Sequence, residues 1–505
     1  MCAMKILPVE KIREADAYTI AHEPVSSTAL MERAASACFR WILKKVPDTR
    51  RVRVVCGMGN NGGDGLVIAR LLHNAGYSTD VFIVRHAGEP TADFALNFNL
   101  LADLPGLVIT DVFEADPLIE IDEDDVVIDA ILGSGLTRPV TGWMADVIDQ
   151  INHSGAMVVS IDIPSGLFAD KAVNLKHPEI VMADFTLTFQ MPKLAFLVPE
   201  NERFCGNWKV LGIGLHPEFI EQCECNNYLI ETDDCRSLYK VRPKFAHKGH
   251  FGHALLIAGS TGKSGAAVMA ARACLRSGVG LLTVHTPADG FQTIQGSVHE
   301  AMVSIDPDDS CFSALPVLDA YNAIGIGPGL GMDEQSAAAL KLLIQQTHVP
   351  LVLDADALNI LGENKTWLSF LPPGSILTPH PKEFERLTEP TGNHFDRLEL
   401  LRAFAVRYRL YIVLKGAYTA TATPEGDLFY NPTGNPGMAT GGSGDVLTGI
   451  ILGLRASGYS ARDACILGVW LHGKAGDLAA GKYGQPSMLP GDMIEMLGKA
   501  FKKIS

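Results

Sequence analysis

The ten cysteines of this chain form no C-x-x-C pair; Cys223 and Cys225, the nearest two, are one residue apart. That spacing excludes the common zinc and thiol-redox motifs and leaves reduced, mostly buried thiols, as expected of a cytoplasmic protein. No run of 18 uncharged apolar residues is present either, and the apolar stretch after Ser264 is broken by Arg272 and Arg276, so no membrane span is expected. Met1 to Asp16 carries charge every few positions and lacks the apolar block of a secretory signal. Basic residues are in deficit, 42 Lys and Arg against 57 Asp and Glu, for a net charge of −15. Such a field repels phosphate backbones and anionic membranes, so neither nucleic acid nor membrane is an expected partner. A small phosphorylated ligand is still allowed, because clustered backbone N–H groups attract an anion even on an acidic surface.

At 505 residues the chain exceeds the roughly 250–300 that one hydrophobic core supports. Two domains are expected, residues 1–222 and 223–505. With 47% apolar and 20% charged residues, the composition is globular. Strand-length apolar runs alternate with helix-period segments, which predicts α/β domains with parallel sheets covered by helices on both faces. In the first half the strands are Arg51 to Cys56, Thr79 to Val84, Asp125 to Ile131 and Ala156 to Ile161, with helices at Leu66 to Ala75 and Ala92 to Leu104. A polar stretch from Leu215 to His250 reads as linker and entry segment. The second series has strands at His253 to Ala258, Gly280 to His285, Ala323 to Gly327, Pro350 to Asp354 and Leu410 to Lys415, and helices near Ser264 to Ser277 and Gly444 to Arg455. The halves share no sequence repeat, so two different domains are expected rather than a duplication.

In the first domain, Gly57, Gly59 and Gly62 satisfy G-x-G-x-x-G between a strand and a helix, which predicts a Rossmann-like three-layer α/β/α sandwich. The ribose-binding acid of that fingerprint is absent: the second strand ends at Arg85-His86, and Asp80 stands at its start. What distinguishes the segment is Asn60-Asn61-Gly62-Gly63-Asp64, amides and a carboxylate on glycine-rich backbone that a ligand can approach. Two more loops sit at strand ends, where open α/β sheets bind ligands. Gly133-Ser134-Gly135-Leu136-Thr137-Arg138-Pro139 suits a diphosphate, and Asp162-Ile163-Pro164-Ser165 follows the next strand. Asn61, Asp129 and Ser165 offer hard oxygen ligands for a cation, although any one of them alone is more often a turn or cap residue.

These motifs, in this order, resemble the NAD(P)H-hydrate epimerase family over about residues 5 to 215. The resemblance implies interconversion of the R and S forms of NADH or NADPH hydrated at C6 of the nicotinamide ring. It implies that Asn60, Asn61, Gly62, Gly63, Asp64, the loop Gly133, Ser134, Gly135, Leu136, Thr137, Arg138 and Pro139, and Asp162 contact the hydrate. Asn61, Asp129 and Ser165 would then hold potassium. Epimerisation needs a positioned acid or base; Asp162 is the first candidate and Lys193 the second, with a solvated surface lysine as the plain alternative for the latter.

In the second domain, Gly262-Lys263-Ser264 lacks the upstream glycine of a P-loop, since Ile257 stands there. The strongest signal is Asn435-Pro436-Gly437-Met438-Ala439-Thr440-Gly441-Gly442-Ser443-Gly444-Asp445 ahead of an apolar helix. Glycines at a helix N-terminus aim free N–H groups at one point, and Asp445 beside that anion hole is placed to take a proton from a substrate hydroxyl. Lys415-Gly416-Ala417-Tyr418-Thr419 joins two strands, as expected of a loop touching a nucleotide phosphate. Thr378-Pro379-His380-Pro381-Lys382-Glu383 marks a strand-to-helix junction, and Gly325 to Gly331 and Asp354 to Asn359 complete the set.

Together with His247-Lys248-Gly249, these segments resemble the ribokinase-like superfamily, and within it the NAD(P)H-hydrate dehydratase branch, over about residues 230 to 500. The resemblance implies that Ala266, Gly329, His380 and Asp445 face the hydrated nucleotide, and that Lys415, Gly416, Ala417, Tyr418, Thr419 and Gly444 hold the adenine nucleotide. It also implies ADP as co-substrate, accompanied by magnesium, and a homo-oligomer. The expected function is therefore repair of the hydrates NADHX and NADPHX by an epimerase fused to a dehydratase. A ribokinase-like kinase for a small alcohol, fused to a non-catalytic nucleotide-binding module, is the alternative.

Overall fold

The computed structural model describes residues 3–114, 116, 119–174 and 178–505. They form two compact units: Lys5–Cys225 with Asn393–Phe395, and Asn226–Gly392 with Asp396–Ser505 and the first residues of the chain.

In the first unit, strands Val52–Cys56, Thr79–Val84, Val126–Ala130 and Met157–Ile161 lie where the apolar runs predict them. Val108–Val112, Phe185–Phe189 and Asn207–Leu211 complete a seven-stranded sheet. Every adjacent pair is parallel. Counted from Val52–Cys56, the spatial order is third, second, first, fourth and onward, so the order reverses between Val52–Cys56 and Val126–Ala130. In open α/β sheets the ligand crevice lies outside the carboxyl ends of strands at such a point. Side-chain alternation supplies two cores. Val54, Ile83, Ile128 and Ile161 pack with Ala35, Ile42, Ile68 and Leu72 on one face, and Val55, Val127 and Val158 with Met144, Val147 and Ile151 on the other.

The structure departs from the sequence reading at the glycine motif. The helix runs Asn60–Asn74, so Asn60 to Asp64 are its first residues and not a loop ahead of it. Glycine is a poor helix former, and packing overrides the propensity here. A Cβ at Gly62 would collide with the Gly57 carbonyl, and one at Gly65 would stand 2.7 Å from both Cys56 Sγ and Ala130 Cβ. Without those β-carbons the helix presses directly onto the ends of two strands.

The second unit repeats the plan with a larger sheet. Its parallel part runs Met302–Ile305, Leu281–Thr286, His253–Ile257, Ala323–Ile326, Leu351–Leu353, Ile376–Leu377 and Tyr411–Leu414, which is again third, second, first, then fourth to seventh. Ala420–Ala422 and Leu428–Tyr430 then extend it antiparallel. The Leu215 to His250 stretch is more than a linker: Asn227–Leu229 pairs with Leu428–Tyr430, and helix Thr232–Leu238 follows. Ile230 and Cys235 anchor it by burial with Phe429 and Trp470. Helix Ser443–Ala456 lies close on Ser264–Arg276, where Gly449 and Gly453 face the Ala270 and Cys274 carbonyls. Among the described residues no helix is long and apolar enough to cross a membrane.

Candidate active sites

In the first unit the expected residues converge at the carboxyl edge of the sheet. Asp129 is fully buried and accepts hydrogen bonds from Ser160 Oγ at 2.7 Å, Ser165 Oγ at 2.5 Å and Ser165 N at 2.9 Å. Burial nonetheless pushes its carboxyl above the usual range, against the pull of those bonds. Asn61 donates through Nδ2 to Ile161 O at 2.7 Å, while its Oδ1 is buried with no hydrogen-bond partner among the described residues. A buried acceptor left unpaired is costly and calls for an explanation. Gly133 lies against Asn61: a Cβ there would be 3.1 Å from Asn61 Cβ. The Gly133 to Pro139 loop therefore begins beside the cluster of Asn61, Asp129 and Ser165.

Asp162 leads out of strand Met157–Ile161 with φ +64°, left-handed backbone that is uncommon for aspartate and a strain that recurs at functional sites. Its Oδ1 accepts from Lys193 Nζ at 2.7 Å, Thr188 Oγ1 at 3.2 Å and Phe189 N at 3.3 Å; Oδ2 accepts no bond among the described residues. One oxygen is thus anchored while the other is free of protein donors among the described residues. Lys193 is 1% exposed, which rules out the solvated surface lysine, and it also donates to Thr188 Oγ1 at 3.0 Å. Asp64 is buried, and its carboxyl is pushed well up by that burial, with Asp162, Asp16 and Asp93 adding to it. Asp16 went unremarked in the sequence because nothing marks it within its helix. Asp80, which is not at a ribose position, is paired with Arg51 and Arg53.

In the second unit Gly442, φ +97°, turns the chain into helix Ser443–Ala456 in a conformation that favours glycine. Asp445 lies in the first turn but accepts no hydrogen bond among the described residues, so it is not acting as the helix cap. Burial, then the charge of Asp354, pushes its carboxyl up to about 7, partly opposed by Lys415. Lys415 Nζ donates to Asp354 Oδ1 at 2.8 Å and lies 3.7 Å from Glu383 Oε2; Asp354 Oδ2 accepts from Thr448 Oγ1 at 2.6 Å. A Cβ at Gly444 would be 3.4 Å from Lys415 Nζ, so the Lys415 to Thr419 loop and the helix start adjoin. His472, half-buried, with its pKa lowered to about 4 by loss of solvent, bonds Ser443 O at 2.9 Å and fixes that start. Ala266 and Gly329 adjoin, since a Cβ at Gly329 would be 3.2 Å from Ala266 Cβ. His380 caps helix Pro381–Leu387, its Nδ1 accepting from Lys382 N and Glu383 N. Nε2 remains on the open side, 3.4 Å from Glu383 Oε1. Asp354 and Glu383, quoted in the sequence only as parts of motifs, prove to be the groups that hold Lys415.

Fold and site define a fusion of two α/β enzyme units, each with its polar groups gathered at the carboxyl edge of a parallel sheet. A family model described as YjeF-related protein N-terminus matches residues 27–195, and one described as NAD(P)H-hydrate dehydratase matches residues 254–499. The bifunctional NAD(P)H-hydrate repair enzyme Nnr of Moorella thermoacetica is 35% identical over 98% of this chain and 96% of its own length. Its namesake from Coxiella burnetii is 35% identical over 96% of this chain and 97% of its own. A crystal structure of a ribokinase-like superfamily protein from Enterococcus faecalis matches with TM-score 0.50 and 29% identity, covering 55% of this chain and 97% of that one. The chain belongs to the bifunctional NAD(P)H-hydrate repair enzyme family.

Proposed function

We propose that this protein repairs hydrated nicotinamide nucleotides, each unit performing one step. The first unit interconverts R- and S-NAD(P)H hydrate. The second dehydrates the S form to NAD(P)H at the expense of ADP, giving AMP and phosphate. The observation that carries this reading is the state of Asp445: an unbonded carboxylate in the first turn of a glycine-led helix, with its pKa near 7, beside a lysine held by Asp354. A group titrating near neutral pH is matched to accept a hydroxyl proton, and the N–H groups of the helix start receive phosphoryl oxygens. Lys415 to Thr419 and Gly444 would hold the ADP phosphates; Ala266, Gly329 and His380 would line the hydrate. As the C6 hydroxyl loses its proton to Asp445, its oxygen attacks the terminal phosphoryl group of ADP and AMP leaves; phosphate then departs from C6 with the C6–O electron pair while a proton leaves C5 to solvent, and the C5–H pair becomes the restored ring double bond.

In the first unit Asp162 is the acid/base group, aimed by Lys193. The residues also fit a monovalent cation: the unpaired Asn61 Oδ1, the buried Asp129 carboxylate and the Ser165 hydroxyl are hard oxygen donors. These three would hold potassium, which would supply positive charge beside the Gly133 to Pro139 loop. Magnesium, where required, would accompany the ADP phosphates. The test is incubation of the full chain with an R/S hydrate mixture and ADP, following absorbance of reduced nicotinamide. Complete conversion of both epimers is expected. A stable phosphorylated product accumulating instead would favour the kinase alternative.

A further inference from the structure

We propose that helix Val9–His22 forms a wall of the epimerase site, with Asp16 the proton donor to the departing C6 hydroxyl and Arg13 a phosphate contact of the hydrate. This rests on the epimerase reading of the first unit and adds two residues to it.

The helix is tied down on both sides of these residues. Val9 N donates to Asp170 Oδ2 at 2.8 Å, and His216 N donates to Thr19 Oγ1 at 2.9 Å. Ala15 and Thr19 are buried beneath it. Arg13 and Asp16 are three residues apart and therefore share one face. The Arg13 guanidinium lies so close over Gly135 that a Cβ there would collide with it. Arg13 makes no hydrogen bond or ion pair among the described residues, and on a chain of net charge −15 a cation left unpaired over a glycine loop fits a phosphate. Asp16 is half-buried, also without a hydrogen-bond partner among the described residues, and within electrostatic reach of Asp64, Asp162 and Lys193.

Asp16, Asp162 and Asp170 lie within electrostatic reach of Lys193, and Asp64 lies within reach of Asp16 and Asp162. Lys193 Nζ donates to Asp162 Oδ1 at 2.7 Å, whereas Asp16 has no such partner among the described residues. Burial, then the charge of Asp162, pushes Asp16 up to about 6, with Lys193 opposing. Two carboxyls whose environments differ in this way divide into acid and base.

Asp16 gives its proton to the C6 hydroxyl oxygen, the C6–O electron pair leaves with that oxygen as water, and the N1 lone pair forms an N1=C6 double bond. Water then adds from the opposite face. Its oxygen forms the new C6–O bond, the double-bond pair returns to N1, and Asp162 takes the released proton. One proton has passed from Asp16 to Asp162, and exchange with solvent restores both; the reverse direction exchanges their roles.

The test measures conversion of pure R hydrate by the full chain without ADP, corrected for the uncatalysed rate. Asp16→Asn should lower epimerisation kcat by about 10²- to 10⁴-fold, with dehydration of S hydrate unchanged. Wild-type epimerisation kcat/KM should fall as pH rises through about 6, and that limb should vanish in Asp16→Asn and return, displaced, in Asp16→Glu. Arg13→Gln should raise KM by about tenfold with kcat retained, the loss of one charge-assisted contact. If Asp16→Asn melts before assay, Asp16→Glu and its pH limb decide. Epimerisation by Asp16→Asn within twofold of wild type, or an unmoved limb in Asp16→Glu, overturns the assignment. A wild-type chain that fails to interconvert the epimers at all sinks the epimerase reading itself.

Discussion

Lys415 Nζ lies 2.8 Å from Asp354 Oδ1, and through that pair the end of strand Leu351–Leu353 is coupled to the helix start that carries Asp445. The half-buried Lys415 ammonium is held in its charged form by Asp354, with Glu383 and Asp445 adding to the stabilisation against the cost of partial burial. Lys415 is thereby fixed beside the start of helix Ser443–Ala456.

Asp445→Asn should reduce dehydration by at least about 10²-fold, because an amide cannot accept the hydroxyl proton, and leave epimerisation intact. Separate assays of the two reactions on one preparation check this. Near-normal dehydration would remove Asp445 from the mechanism, and loss of both reactions would show that the units are not independent.

The pKa of Asp445 near 7 sets a pH limb. The base works ionised, so dehydration kcat/KM should drop about tenfold per pH unit below 7 and level off above it. Stability follows the opposite sign. The raised folded-state pKa means the stability contribution is present at low pH and lost as pH rises from the usual carboxylate range through about 7. Asp445→Asn should therefore gain stability over wild type progressively across that window, with no further gain above it, as measured by denaturant unfolding.

Gly62→Ala should destabilise the first unit by more than about 2 kcal/mol, the cost of overpacking at a site with no room to relax. The added Cβ would meet the Gly57 carbonyl, which is backbone and cannot swing aside. Thermal unfolding should show a lowered transition, with epimerisation lost before dehydration. An unchanged transition would mean that the helix start shifts freely.

How far the sequence foretold this structure depends on what its signals encode. Strands buried on both faces, such as Val52–Cys56 and Val126–Ala130, announce themselves as apolar runs. Val108–Val112 and Asn207–Leu211, at the edges of their sheet and largely exposed, carry no such pattern, and in Phe185–Phe189 buried threonines interrupt the aromatics. The glycine run read as a loop because propensity is local while the close approach of helix to strand is tertiary. Motif residues were legible one loop at a time; which loops meet was set by the strand order. For Lys193 the sequence left an acid/base candidate and a solvated surface lysine both open, and its burial against Asp162 and Thr188 is tertiary; Asp16 had no local signal at all.

Potassium should raise the melting temperature of the first unit and its epimerisation rate, through Asn61, Asp129 and Ser165. The structural reason is the orphaned Asn61 Oδ1 and, at the same edge of the sheet, the Asp129 carboxylate, whose burial is only partly offset by hydroxyl and N–H donors. A cation would satisfy the first and favour the ionised form of the second. An ion present at ten times its Kd adds about 1.4 kcal/mol to the folded state, enough to read in a melting experiment without any substrate. Asn61→Ala is the sharper probe. Asp129 also holds Ser160 and Ser165, so Asp129→Ala would disturb their loops whether or not an ion binds. Replacing potassium by tetramethylammonium should lower the wild-type melting temperature and slow epimerisation more than dehydration, whereas Asn61→Ala should be insensitive to the exchange. If wild type and variant respond alike, or neither responds, the three oxygens are turn and cap residues and the unpaired amide oxygen is satisfied by water.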